Sequence, residues 1–124
     1  MATERGRWEG GGSRWWLATV STGVALLVLV TAHMVAHHFV VQGIGGLRNY
    51  GQVLEYIGNP WIRATESLLL VIVTAHAMLG LRAVLFDMGL SSRARRLVSK
   101  GLVVLGSVTI AYGFFLLSVL AARV

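Results

Sequence analysis

The 124-residue sequence contains no cysteine. Disulfides, thiolate metal sites and thiol nucleophiles are thereby excluded, as is a cysteine-ligated iron–sulfur cluster held by this chain itself. Charge is also scarce: 13% of residues are charged, against 56% hydrophobic. A water-soluble domain of this length has too little interior to hide that much apolar surface. Five acids face eleven bases, for a formal net charge of +6. The bases sit at the ends of hydrophobic runs, a pattern of anionic lipid head groups and topology signals rather than nucleic acid. The first apolar run is too long for a signal h-region, and no small-residue cleavage pattern follows it, so it reads as a retained span. There is no internal repeat.

Three stretches, 15–41, 60–88 and 97–122, are long enough to cross a hydrocarbon core, which takes roughly 20 helical residues. The expectation is an all-α membrane protein with three transmembrane helices. Around them the composition predicts a flexible Gly-rich tail over 1–14, a connection over 42–59 and a basic loop over 89–96. Within 42–59, Leu47, Tyr50, Val53, Leu54 and Ile57 recur at helical spacing, which predicts a short interfacial helix. The single proline, Pro60, follows Asn59, so that asparagine caps the second span and proline takes its first position. Arg63 and Glu66, three residues apart, are spaced to pair. The third span carries Gly101, Gly106 and Gly113 and no charge in its middle, which close helix packing explains without chemistry.

Basic residues also set the orientation. Arg5, Arg7, Arg14, Arg93, Arg95, Arg96 and Lys100 lie on one side, and Arg48, Arg63 and Arg123 on the other. The richer side is expected to face the cytoplasm, with the N-terminus there and the C-terminus outside.

Histidines inside such runs need partners, because an unpaired polar group in hydrocarbon costs several kcal/mol (about 2–7). His76 opens the stretch HAMLGLRAVLFDM. At roughly 100° per residue, Gly80 falls about 40° from it and Ala83 and Asp87 about 20°, so the four share one helix face. A histidine with a small residue one turn on leaves a flat slot in which a porphyrin can lie, and neutral imidazole is a common axial ligand of haem iron. The same histidine can instead bridge helices by hydrogen bonding. In the first span, His33 and His37 lie four apart on one face, while His38 points elsewhere. His33 lies deep enough to ligate; His37 and His38 are near the interface, where water or head groups suffice. The His33–His37 pair resembles half of a zinc site, but no carboxylate or further histidine stands at a suitable spacing, and zinc is set aside.

The stretch HAMLGLRAVLFDM resembles the second-helix motif of the small membrane-anchor subunits of succinate dehydrogenase (succinate:quinone oxidoreductase), roughly H-x3-G-x-R-x4-D-Y. The opening WWLATVSTGVALLVLVTAH is similar to their first helix, where an Arg-x-Ser-Gly element precedes an apolar run ending in Gly-His. The resemblance extends over about residues 15–96, and the third span matches in character alone. It implies a cytochrome b-type anchor subunit, bundled with a second anchor subunit in the cytoplasmic membrane of a prokaryote. The partners implied are a flavoprotein subunit and an iron–sulfur subunit, in a complex that can form a higher oligomer. By the same resemblance His76 ligates haem b iron, and His33 serves the same haem or a second one shared with the partner anchor. Asp87 matches the carboxylate of the quinone site, with Arg82 and either Trp15 or Trp16 as further candidates. Electrons would then pass from succinate to membrane quinone, and this chain holds no dicarboxylate site. Two positions depart from the pattern: Met88 stands where tyrosine is expected, and Val20 where the first-helix arginine is, with Thr22 near the usual serine. A rival reading from another class is a transporter or channel subunit with His33, His76 and Asp87 as a proton relay.

Overall fold

The computed structural model describes residues 2–46 and 49–124, with side chains from Gly12 onward. Leu47 and Arg48, used above for the interfacial helix and the charge count, lie outside the described residues. Four helices follow one another: α1 (Ala2–Ala36), α2 (Tyr50–Gly58), α3 (Pro60–Asp87) and α4 (Ser92–Ala121), with a π-helical turn, His37–Val41, continuing α1. Three of these are long and apolar enough to cross a membrane: Gly12–Val41, Pro60–Asp87 and Ser92–Ala121. The all-α membrane class expected from composition is the one observed.

The helix boundaries follow from local chemistry. Asn49 and Gln52 form a reciprocal capping box at the start of α2, each side chain bonding the other's backbone N–H. The Asn59 side chain accepts from Trp61 N at 3.0 Å, and Pro60 occupies the first turn of α3 as anticipated. Gly89, at φ +74°, turns the chain out of α3 in a conformation that a side chain would strain. Ser91 then caps α4 by accepting from Ala94 N at 3.3 Å.

Some expected boundaries move. Composition predicted a tail over 1–14, but the backbone is helical from Ala2. Once a long apolar helix exists, extending it costs far less than starting one, even through glycines at about 1 kcal/mol each. The basic loop over 89–96 is shorter than anticipated, because the Ser91 cap starts α4 early and places Arg93, Arg95 and Arg96 in its first turns. The short helix in the connection exists, but it is packed rather than laid flat. Tyr56 and Ile57 are buried with Ile62 of α3, against Val40, Val53, Leu117 and Leu120. Tyr50, which the spacing put on the apolar face, is exposed.

Helix α3 lies between α1 and α4 and packs against both. Against α4 the fit is small residue to large: Gly106 meets Met78 and Thr74, and Gly113 meets Leu70. Much of the remaining apolar surface points outward, for example Leu27 at 72% and Val103 at 69% exposed. For a membrane span that surface meets lipid or another membrane subunit, which removes the solubility problem raised by the composition.

Candidate functional site

Polar side chains concentrate along the antiparallel contact between α1 and α3. Three meetings run down it: Trp15 with Arg82, Thr22 with His76, and His33 with Glu66. On α1 these residues recur at seven and eleven positions, close to whole numbers of helical turns, so they form one stripe facing α3.

The central meeting is the best defined. Thr22 Oγ1 lies 2.8 Å from Ala18 O and 3.0 Å from Thr19 O, both on its own helix. A threonine hydroxyl has one proton, and either carbonyl can accept it. With the proton there, the oxygen accepts from His76 Nδ1, 3.0 Å away. In that arrangement the ring proton sits on Nδ1 and Nε2 is the bare nitrogen, a tautomer assigned from the network. Nε2 has no hydrogen-bond partner among the described residues. The only enclosed side-chain nitrogen or oxygen there without a partner is Arg82 Nε, so His76 Nε2 is open at the surface of the chain. Gly23 makes room for the ring: a Cβ at that position would sit 3.3 Å from His76 Cε1. Gly80, one turn along from His76, has nothing within 4 Å of where its Cβ would be. The slot inferred from spacing is an open surface beside the histidine.

This arrangement fits a haem. A ligating histidine commonly donates its second ring N–H to an oxygen acceptor, which fixes ring orientation and raises the basicity of the ligating nitrogen. The open face at Gly80 lets a flat macrocycle approach the backbone.

At the basic end, the Arg82 guanidinium is held between two rings, 3.8 Å from the centre of Trp15 and 4.2 Å from that of Phe86. Trp15, rather than Trp16, makes this contact; Trp16 is 66% exposed. Arg82, Trp15, Thr74, Met78 and Ser99 border a mostly apolar cleft of about 380 Å³ that reaches α4. Its size and its few polar groups suit a small organic molecule. Asp87 is exposed and makes no hydrogen bond or ion pair among the described residues.

At the α2 end, Glu66 does not pair with Arg63. Its Oε1 accepts from His33 Nδ1 at 2.7 Å and from the Tyr56 hydroxyl at 2.9 Å. Burial, reinforced by the hydrogen bond to Glu66 and its charge, pushes the Tyr56 phenol well above its ordinary pKa, so it remains a donor. The His37 ring lies 4.4 Å from that of His33 and 5.4 Å from that of Tyr56.

His33, His76 and Asp87 are not brought together, as a proton relay would require. His76 turns to Thr22 and His33 to Glu66, and Asp87 lies about 16 Å along α3 from His76 at 1.5 Å per residue. Spacing along one helix missed Thr22 and Glu66, since each acts on a residue of the other helix. Glu66 did leave a signal, being a lone carboxylate inside an apolar span.

Comparison with known proteins agrees with this geometry. Residues 2–115 match the family model of the succinate dehydrogenase/fumarate reductase transmembrane subunit. The chain is 35% identical over 102 residues to the succinate dehydrogenase hydrophobic membrane anchor subunit of Archaeoglobus fulgidus, covering 82% of this chain and 85% of that one. It is 29% identical over 106 residues to the subunit of the same name in Thermoplasma acidophilum, covering 86% and 84%. With a family model spanning nearly the whole chain, three apolar spans and the histidine motif in place, this protein belongs to the succinate dehydrogenase/fumarate reductase transmembrane subunit family.

Proposed function

We propose that this subunit ligates haem b through His76 Nε2 and borders the quinone site of a succinate:quinone oxidoreductase. The observation that carries this reading is the Thr22–His76 hydrogen bond, which holds the ring by Nδ1 and leaves Nε2 without a partner among the described residues, one turn from the bare backbone of Gly80. When bound, haem b supplies a one-electron carrier. The chain's own part is to hold the imidazole in one tautomer and orientation and to keep a flat surface clear. One three-helix subunit does not easily enclose a macrocycle, so a second anchor subunit would provide the opposite wall and a further ligand.

The quinone reading draws support from the cleft beside Arg82 and Trp15. The guanidinium held between two rings is a fixed donor at its edge, and its Nε has no partner among the described residues. Asp87 stands farther out at the same end, where water reaches it. A carboxylate there can pass on the two protons that each two-electron quinone reduction consumes. On this reading the flavoprotein and iron–sulfur subunits dock at this end, taken as cytoplasmic because basic residues concentrate there. Dicarboxylate chemistry resides in those partners.

The test is a reduced-minus-oxidised spectrum of the purified complex with haem quantification. A b-type low-spin signal that His76→Ala removes supports the assignment, and an unchanged spectrum rejects it.

A further inference from the structure

Glu66 carries a carboxylate roughly 9 Å inside the start of α3, counted at 1.5 Å per residue from Pro60. Its side chain is 19% exposed and that of His33 28%. A half-buried charge in a membrane span is costly unless something compensates it. The partners visible in the chain are His33 and Tyr56, and both bond to Oε1. Oε2 has no partner among the described residues, and neither has either ring nitrogen of His37. His33 Nδ1 and Glu66 Oε1 share one proton, which a cation can displace. Three groups able to ligate therefore converge: ligand atoms of His33, His37 and Glu66 all lie within 4.8 Å of one another.

We propose that His33, His37 and Glu66 form a binding site for a divalent transition-metal cation of the zinc class, separate from the His76 site. Two imidazoles and a carboxylate are the donor set that zinc and its neighbours favour over calcium or magnesium. At bond lengths of about 2.1 Å, tetrahedral ligands stand about 3.4 Å apart. The ligand atoms lie within 4.8 Å of one another, and the 2.7 Å His33 Nδ1–Glu66 Oε1 contact has to open to about 3.4 Å when a cation takes the place of the shared proton. Tyr56 completes the surroundings as a donor to the carboxylate, which orients a ligating oxygen. An independent feature lies at the same place: the helix widens into a π turn beginning at His37, a rare local form that recurs at functional sites. Bound there, the cation clamps α1 to α3 and neutralises Glu66.

The site can be probed with Zn²⁺ alone on the purified, chelator-treated complex, by equilibrium dialysis and metal analysis. One Zn²⁺ per chain is expected. His37→Ala should weaken binding at least tenfold while leaving the haem spectrum intact, since His37 makes no hydrogen bond among the described residues whose loss would disturb the fold. Glu66→Gln, which can still accept from Tyr56, should weaken it similarly. His38→Ala is the control and should bind as wild type does. Absence of stoichiometric uptake overturns the proposal, as does undiminished affinity in His37→Ala or an equal loss in His38→Ala. It is also overturned if His33→Ala removes a haem, because that ring then belongs to iron. The readout is zinc rather than haem, so this result and the His76 assignment can fail separately.

Discussion

The two faces of α3 solve different problems with the same residue type. Towards α4, glycine is filled: Gly113 receives Leu70, and a Cβ at Gly106 would stand 3.2 Å from Met78 Cγ. Towards α1, Gly23 is filled too, but by the edge of the His76 imidazole. Beside that histidine Gly80 meets nothing within 4 Å. The α3–α4 contact is a packing seam, in which small residues let backbones approach and dispersion holds them. The α1–α3 contact is a polar seam whose side chains satisfy one another in part and leave particular atoms uncommitted. A filled glycine marks helix association; an open one gains meaning only from its neighbour, as Gly80 does from His76, since Gly101 on α4 is open as well.

Substitutions in each seam can break this contrast. The largest effect is expected from His76→Ala, which should abolish one low-spin haem signal while the three spans remain assembled, as read by the spectrum and by subunit stoichiometry. Gly80→Leu should come next. The added side chain meets nothing within the chain, so assembly should survive while haem content falls, and normal haem content would put the macrocycle elsewhere. Gly113→Leu should behave in the opposite way. Its side chain has to displace Leu70, at a cost of about 1–3 kcal/mol, so thermal stability of the purified complex should drop before any spectral change. Thr22→Val preserves volume but removes the oxygen that fixes the His76 tautomer. Haem affinity should decline by roughly tenfold to a hundredfold, with Thr22→Ser restoring much of it. The smallest effect is expected from Asp87→Asn: quinone reduction should slow several-fold while succinate oxidation by a soluble artificial acceptor is unaffected. Equal rates with both acceptors would make Asp87 a helix-end charge and nothing more.

How much of this could be read in advance follows from the range of each interaction. The spans, the Asn59–Pro60 start and the shared face of His76 and Gly80 depend on residues near one another in sequence, and helical periodicity reveals them. Trp15 rather than Trp16 against Arg82 depends on the rotation of α1, which a smooth apolar run does not encode. Thr22 looked like a substitute for a missing serine, yet its contribution is a hydrogen bond to a ring 54 positions away. Glu66 was matched to its near neighbour Arg63, and the structure gives it to His33 and Tyr56 from two other segments. Zinc was set aside because no third donor stood near His33 and His37 in sequence; in three dimensions Glu66 stands there. The extent of α2 burial was hidden for the same reason, since the residues covering Tyr56 and Ile57 include Leu117 and Leu120.

That last contact bears on the order in which the chain is made. Tyr56 is 4% exposed, and part of its cover comes from α4, which leaves the ribosome about 60 residues later. Until then the apolar cluster of Tyr56, Ile57 and Ile62 lacks part of its cover. The arrival of α4, with Leu117 and Leu120 near its far end and Val124 beyond it against Gly58, completes that cluster. The third span, to which no chemistry is assigned, thus finishes the packing that holds α2, and with it the Tyr56 hydroxyl that serves Glu66, in place.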